Sequence, residues 1–280
     1  MTSNILVTGA SGKTGRKVVK GLIHRNQNVR LGSRKNDPPF DWEDPSTWPA
    51  ALDGMDKVYI VYYPDLAVPG AFEAIAGFME ASKEAGIKKA VLLSGKGEKE
   101  AERCEALVAN SGLEYVLVRA SWFNQNFSES FLMDPILAGY VALPMPEAEI
   151  PFVDTDDIAG VVVEALLDEK HNGRTYEVTG PRKLTFHEVV QEISKATGRN
   201  INYQAVMMDG YNGMMKAAGL PADYVWLFDY LFREVLGNPD NHAISSDVKK
   251  VLGREATDFS DYVRKTAATG VWNQAIPQTI

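Results

Sequence analysis

Gly9, Ser11, Gly12, Lys13, Thr14 and Gly15 fall within seven residues, after the apolar run Ile5-Leu6-Val7 and before Arg16, Lys17, Val18 and Val19. A strand, a glycine-rich turn and a helix start in that order form the setting in which spaced glycines cradle phosphate. Gly9 suits the tight turn and Gly12 the approach of backbone N–H groups to a pyrophosphate. Gly15 suits close packing of the helix on the strand. The chemistry implied is the holding of a dinucleotide.

The next strand, Asn28–Gly32, ends in Ser33, Arg34 and Lys35, with no acid before Asp37. An acid at this place holds a ribose 2′-hydroxyl, whereas an arginine receives a 2′-phosphate. Arg34 offers a bidentate phosphate contact, Ser33 a hydroxyl and Lys35 a point charge, so the expected cofactor is NADP(H), with NAD(H) the weaker alternative. A solvated basic turn is the competing explanation. Asp41 and Trp42 are candidate neighbours of the adenine, or loop anchors.

No tyrosine in the chain has a lysine four residues later. That pair is how many nicotinamide dehydrogenases lower a tyrosine pKa to exchange a proton with a carbonyl substrate. After Ser94 the sequence is Gly-Lys-Gly-Glu-Lys-Glu-Ala-Glu-Arg-Cys. Lys96 and Lys99 could act as acids there, although a solvated turn explains both. Cys104 reads as a small core residue on a helical stripe.

The elements that must carry these residues alternate. A helix is expected over 13–25 with Val18, Val19, Leu22 and Ile23 buried, then strand Asn28–Gly32 and a proline-rich passage over 36–50 with a short third strand at Pro39–Trp42. Strand Lys57–Tyr63, a helix from Pro69 to Gly86, strand Lys88–Leu93, a helix from Glu100 to Asn110 and strand Tyr115–Arg119 follow. Asp156-Asp157 starts a helix, Thr175–Thr179 is a strand, and Thr185 with Glu188 forms a capping box. The fold class is α/β, a Rossmann-like doubly wound parallel sheet with a smaller mixed C-terminal lobe. Residues 1–155, completed by elements around 156–180, form the cofactor domain, and 181–280 the smaller, mainly helical substrate lobe. In that lobe a strand is expected near Ile201–Val206, with helices near Met208–Ala218 and Ala222–Leu236 and two short ones after them.

The chain has 280 residues, 45% hydrophobic and 24% charged, with a net charge of -8 and one cysteine. The acidic balance argues against direct nucleic-acid binding and anionic membranes. A single cysteine excludes an intrachain disulfide framework. No apolar run approaches the roughly 20 residues of a membrane span, and a strand beginning near residue 4 leaves no room for a signal peptide. The expected setting is the cytoplasm, as monomer or homodimer, with a small-molecule partner and no metal.

Five blocks carry a family resemblance. Thr8–Gly15, Phe40–Trp48, Val91–Ser94, Tyr115–Glu129 and Ile150–Ala159 resemble NmrA-like atypical short-chain dehydrogenases/reductases, nearest to the ergot-alkaloid reductase branch and its bacterial relatives. The resemblance implies that Gly9, Gly12, Lys13, Thr14 and Gly15 hold the pyrophosphate, and Ser33 with Arg34 the adenosine phosphate. It implies that Tyr62, Tyr63 and Ser94 line the nicotinamide side, and that Trp122, Phe123 and Asn126 stand by the substrate mouth. It also implies reduction of C=N, enone or quinone-like acceptors, with non-catalytic cofactor sensing as the alternative known in this family. The chain departs from these relatives between Ser94 and Glu105, where a longer segment with histidine or lysine is shortened and Ala101 stands near the histidine position. An iminium carbon is already electrophilic, so its reduction needs little proton transfer. Tyr62, Tyr63, Trp122 and Asp154 are candidates for meeting a cationic acceptor. The plainer alternatives are strand core for the tyrosines, packing for Trp122 and a helix cap for Asp154.

Overall fold

The computed structural model describes residues 2–273. They form two compact units, one made of residues up to Ala120 with Thr155–Val178 and Ser246–Glu255, the other of Ser121–Asp154, Thr179–Ser245 and the residues from Ala256. The partition departs from 1–155 and 181–280 in two places. Residues 121–154 belong with the second unit, and a ten-residue segment near the C-terminus returns to the first.

The first unit is built on six strands, β1 (Asn4–Thr8), β2 (Asn28–Gly32), β3 (Lys57–Ile60), β4 (Lys89–Gly95), β5 (Glu114–Ala120) and β7 (Arg174–Val178). They lie in the order β2-β1-β3-β4-β5-β7, every neighbouring pair parallel. Strands covered on both faces must be apolar throughout, and Ile5, Leu6, Val7, Val58, Tyr59, Ile60, Ala90, Val91 and Leu92 are all completely buried. Alternate residues then serve opposite layers. Leu6, Val58, Ile60, Ala90, Leu92 and Leu117 join one cluster with Ile75, Phe78 and Met79 of α3 (Ala71–Glu84) and Cys104 and Val108 of α4 (Lys99–Ala109). On the other face lie α1 (Gly15–His24) and α7 (Thr155–Leu167), which pack so closely that a Cβ on Gly21 would meet Val163 Cγ2 at 2.9 Å. The returning helix α11 (Asp247–Leu252) packs on α7, where Arg254 pairs at 2.7 Å with fully buried Asp157.

Two expectations need correction here. Pro39–Trp42 forms no strand, because Phe40 and Trp42 turn their rings into a cluster with Phe78 and with Trp48 at the start of α2 (Trp48–Leu52) instead of pairing along β2. In α1, Val18 and Leu22 are buried but Ile23 is 59% exposed. A single turn of 3.6 residues cannot bring four such positions onto one narrow stripe.

The second unit holds α5 (Asn126–Glu129), α6 (Met133–Ala138), β6 (Tyr140–Leu143), α8 (Phe186–Thr197), β8 (Asn202–Ala205), α9 (Met208–Ala217), α10 (Ala222–Tyr230) and α12 (Phe259–Ala267). A π-helical stretch, Leu231–Leu236, continues α10. β6 and β8 form a separate parallel pair. The core is aromatic, with Phe127, Phe152, Phe186, Phe232 and Phe259 buried together and Trp272 completely enclosed. The capping box at Thr185 and Glu188 forms as the sequence predicts, each side chain bonded to the other residue's backbone N–H.

Candidate functional site

Parallel strands place every strand-to-helix connection at one edge of the sheet. β2 lies on one side of β1 and β3 on the other, so the chain leaves β1 where the winding order reverses, the position at which such sheets bind ligands. There Gly9 takes a positive φ of 59°, and the loop closes through a hydrogen bond from Gly12 N–H to Gly9 O at 2.8 Å. A Cβ on Gly15 would stand 2.1 Å from that same oxygen, so only glycine lets α1 start so near the strand. Gly12's N–H is therefore spent inside the loop. The N–H groups of Ser11 and Thr14 donate to nothing among the described residues, and they stand at the N-terminus of α1, where an anion is favoured. Tyr59 Oη donates to Thr14 Oγ1 at 3.1 Å, while Thr8 Oγ1 accepts from Val61 N–H at 2.8 Å, tying the loop to the end of β3. Lys13 is half-buried and Ser11 exposed. This cradle fits a pyrophosphate.

At the end of β2, a Cβ on Gly32 would lie 2.9 Å from Val7 O, so the strand ends tight against β1. Ser33 then organises the turn. Its carbonyl accepts from the N–H groups of Asn36 at 3.2 Å and Phe40 at 3.1 Å, and its hydroxyl donates to the Asn36 side chain. Arg34 and Lys35 are exposed, and among the described residues nothing engages the Arg34 guanidinium. Asp41 accepts from Glu43 N–H at 3.1 Å through its carboxylate and from Trp48 Nε1 at 2.8 Å through its carbonyl. Trp42 donates to Val61 O at 3.0 Å and packs 5.1 Å from the Tyr62 ring. Both residues thus do anchoring work in this loop.

Tyr62 is half-buried after β3, and burial, reinforced by Glu43, raises its phenol pKa above the ordinary value. Tyr63 is 74% exposed and so is not strand core. Ser94, at the end of β4, is 5% exposed, and its hydroxyl has no hydrogen-bond partner in this structure. A buried orphan hydroxyl is costly unless something else completes it. Lys96 is not a solvated turn residue. It is 9% exposed and its ammonium pairs with Glu177 of β7 at 2.6 Å. Lys99 is exposed. Cys104 is buried beneath α4, and burial pushes its thiol up to about 11, which leaves it a core residue.

The second unit holds the other candidates. Trp122 is half-buried, with its ring 5.3 Å from Phe232 and 5.8 Å from Phe186. Phe123 bridges to Val153, and Asn126 opens α5. Asp154 is 4% exposed and accepts from Gln125 Nε2 at 2.8 Å. Asn124 is fully buried with neither end of its amide paired.

Sequence reasoning did not find Asn124, nor the Gln125 contact to Asp154, nor the hydroxyls of Thr8 and Tyr59 that tie the loop. Nothing in the sequence marks Thr8 and Tyr59, because their polar atoms bond only after the sheet forms. Asp65 and Glu98, hydrogen-bonded to each other, were also missed, since nothing in a polar loop marks which acids will meet. Among the described residues no group of His, Cys, Asp and Glu is placed to hold a metal ion, and no helix is long and apolar enough to cross a membrane.

The NmrA-like family profile matches residues 40–263, which leaves the glycine loop as separate support. "Prestalk A differentiation protein A" of Dictyostelium discoideum is 31% identical, over 94% of this chain and 92% of its own. An NAD(P)H azoreductase of Xenophilus azovorans is 30% identical over 94% and 98%. Among solved structures, the NADPH-dependent quinone oxidoreductase QOR2 of Escherichia coli, complexed with NADPH, shares the fold with a TM-score of 0.74 at 21% identity, covering 93% of this chain and 99% of that one. Strand order, glycine loop, profile and relatives agree: the chain belongs to the NmrA-like family.

Proposed function

We propose that this protein is an NADPH-dependent reductase that transfers hydride to a small cyclic or conjugated organic acceptor, an iminium or imine, a quinone or an enone. The observation that carries this reading is the pairing of two features at one sheet edge. One is a glycine loop with free N–H groups at a helix N-terminus, the other an unengaged arginine at the end of β2. An azoreductase and a quinone oxidoreductase among the similar proteins support it.

When bound, the reduced nicotinamide supplies the hydride. The chain's own part is to hold and orient. Ser11 and Thr14 N–H, with Gly9, Gly12, Lys13 and Gly15 shaping the loop, take the pyrophosphate. Ser33 and Arg34 take the 2′-phosphate, beside Asp41 and Trp42. Tyr62 and Ser94 stand on the nicotinamide side. On the first unit, Tyr62 and Tyr63 are the residues offered to the charge of the acceptor. With no tyrosine–lysine pair, acceptors already electrophilic at carbon are favoured.

That same lack of an acid pair favours a second reading, a non-catalytic cofactor sensor. An absorbance assay separates the two. Purified protein with NADPH or NADH is mixed with imines, quinones and enones, and acceptor-dependent loss of the reduced-nicotinamide band is expected with NADPH preferred by about tenfold or more. Tight binding of oxidised and reduced cofactor without oxidation by any acceptor selects the sensor.

A further inference from the structure

The connections after β3 and β4 are joined by two acids. Glu98, the residue before α4, folds its side chain back over the end of β4, into the space a side chain on Gly95 would occupy. A Cβ there would lie 1.8 Å from Glu98 Oε1. Glu98 is 8% exposed. It is hydrogen-bonded to Asp65 from the β3–α3 connection, whose Oδ1 also accepts from Ala67 N–H at 2.8 Å. Two carboxyl groups can share a hydrogen bond only if one carries a proton. Asp65, already held by a backbone donor, is the natural acceptor, and Glu98 the donor.

We propose that Asp65 and Glu98 share a single proton, and that their hydrogen bond is a latch positioning the β3–α3 and β4–α4 connections, and with them Tyr62, Tyr63 and Ser94. The pair acts through those residues and is a positioning device. Ser94 supplies an independent sign that this edge receives something, since its buried hydroxyl beside Gly95 is unpartnered. Gly95 leaves open the space that the folded-back carboxyl fills. The role in catalysis rests on the reductase reading above; the latch itself does not.

The surroundings keep the proton in place. Burial, then Asp65, then Glu105 push the Glu98 carboxyl well above the usual range. Burial likewise raises Asp65. Glu105 of α4 is neutralised by Arg119 of β5, and Lys96 is taken by Glu177. From α4, Glu100 and Arg103 pair with each other, and Cys104, 3.9 Å from Leu66 O, stays a thiol. Among the described residues, no lysine or arginine forms an ion pair with either carboxyl. Raising the pH breaks the Glu98 O–H bond, hands the proton to hydroxide and leaves two adjacent carboxylates, Glu98 buried and Asp65 half-buried, that repel. The latch therefore contributes fully below the ordinary carboxyl range and is lost as pH climbs through the raised pKa.

Hydrogen exchange of the full chain, corrected for intrinsic rate, tests this at about pH 6 and about pH 9. Wild type should lose protection at residues 65–67 and 95–98 by about tenfold or more at the higher pH. Glu98→Gln, whose amide donates to Asp65 without a titrating proton, should keep it. Should Glu98→Gln fail to fold, Asp65→Asn provides the same proton-independent bond and the same expected result. Equal protection in wild type and variant at both pH values, or equal loss in both, overturns the proposal. A parallel pH profile of turnover should show an alkaline fall in wild type that Glu98→Gln lacks. If exchange behaves as expected while no acceptor is reduced, the latch stands and the reductase reading falls.

Discussion

At the scale of the residue, chemistry was legible wherever backbone geometry demanded a particular side chain or none. Gly15 is one such place, since a methyl group there would press on Gly9 O, and spacing alone predicted the close approach. Arg34 is the clearest case of charge read from position. It is exposed and unengaged, so its removal should leave the fold intact. Arg34→Ala should weaken NADPH binding by about 10- to 100-fold and NADH binding by less than about twofold, checked by fluorescence titration of each cofactor. Equal loss for both would remove Arg34 from the phosphate site. Residues whose role depends on distant neighbours were hidden. Lys96 looked like a turn lysine because its partner, Glu177, lies 81 positions away on β7. Trp42 and Asp41 were legible as a pair but not in their bonds, which form to Val61, Glu43 and Trp48.

At the scale of the element, apolar β-branched runs and turn residues located the six strands of the sheet, and a capping box located the start of α8. The passage over 36–50 misled because Phe40 and Trp42 have strand-forming side chains, yet prolines and the demand of the Trp48–Phe78 cluster win locally. β6 went unseen because a four-residue strand flanked by Gly139 and Pro144 carries almost no periodicity until β8 pairs with it. Elements also lean on ion pairs. Glu105 of α4 is 3% exposed and its carboxylate meets Arg119 Nε at 2.9 and 3.1 Å. Arg119→Met would strand that charge and should cost about 3 kcal/mol in urea unfolding, against under about 1 kcal/mol for exposed pairs such as Arg103 with Glu100. In the second unit, Arg182 holds Asp258, the residue before α12, down to about 2 from an ordinary 3.8. A lowered folded pKa means stability present above pH 3.8 and lost as pH falls through about 2. The stability difference between wild type and Asp258→Asn should therefore be full near pH 6 and vanish near pH 2, followed by circular dichroism during denaturant titrations at each pH.

At the scale of the whole molecule, the order β2-β1-β3-β4-β5-β7 is a Rossmann-like sheet, and its reversal at β1 is what puts the glycine loop at a ligand-binding edge. Alternation of strands and helices announced this, but not that Ser246–Glu255 would rejoin the first unit, since that return depends on a buried Asp157 finding Arg254. If this edge holds NADPH for hydride transfer, isotope labelling will show it. With NADPH deuterated at nicotinamide C4 on the transferred face and a cyclic iminium acceptor, one deuterium is expected on the former C=N carbon of the product. Product formed without deuterium at that carbon, or cofactor bound with no acceptor in the panel reduced, would contradict it.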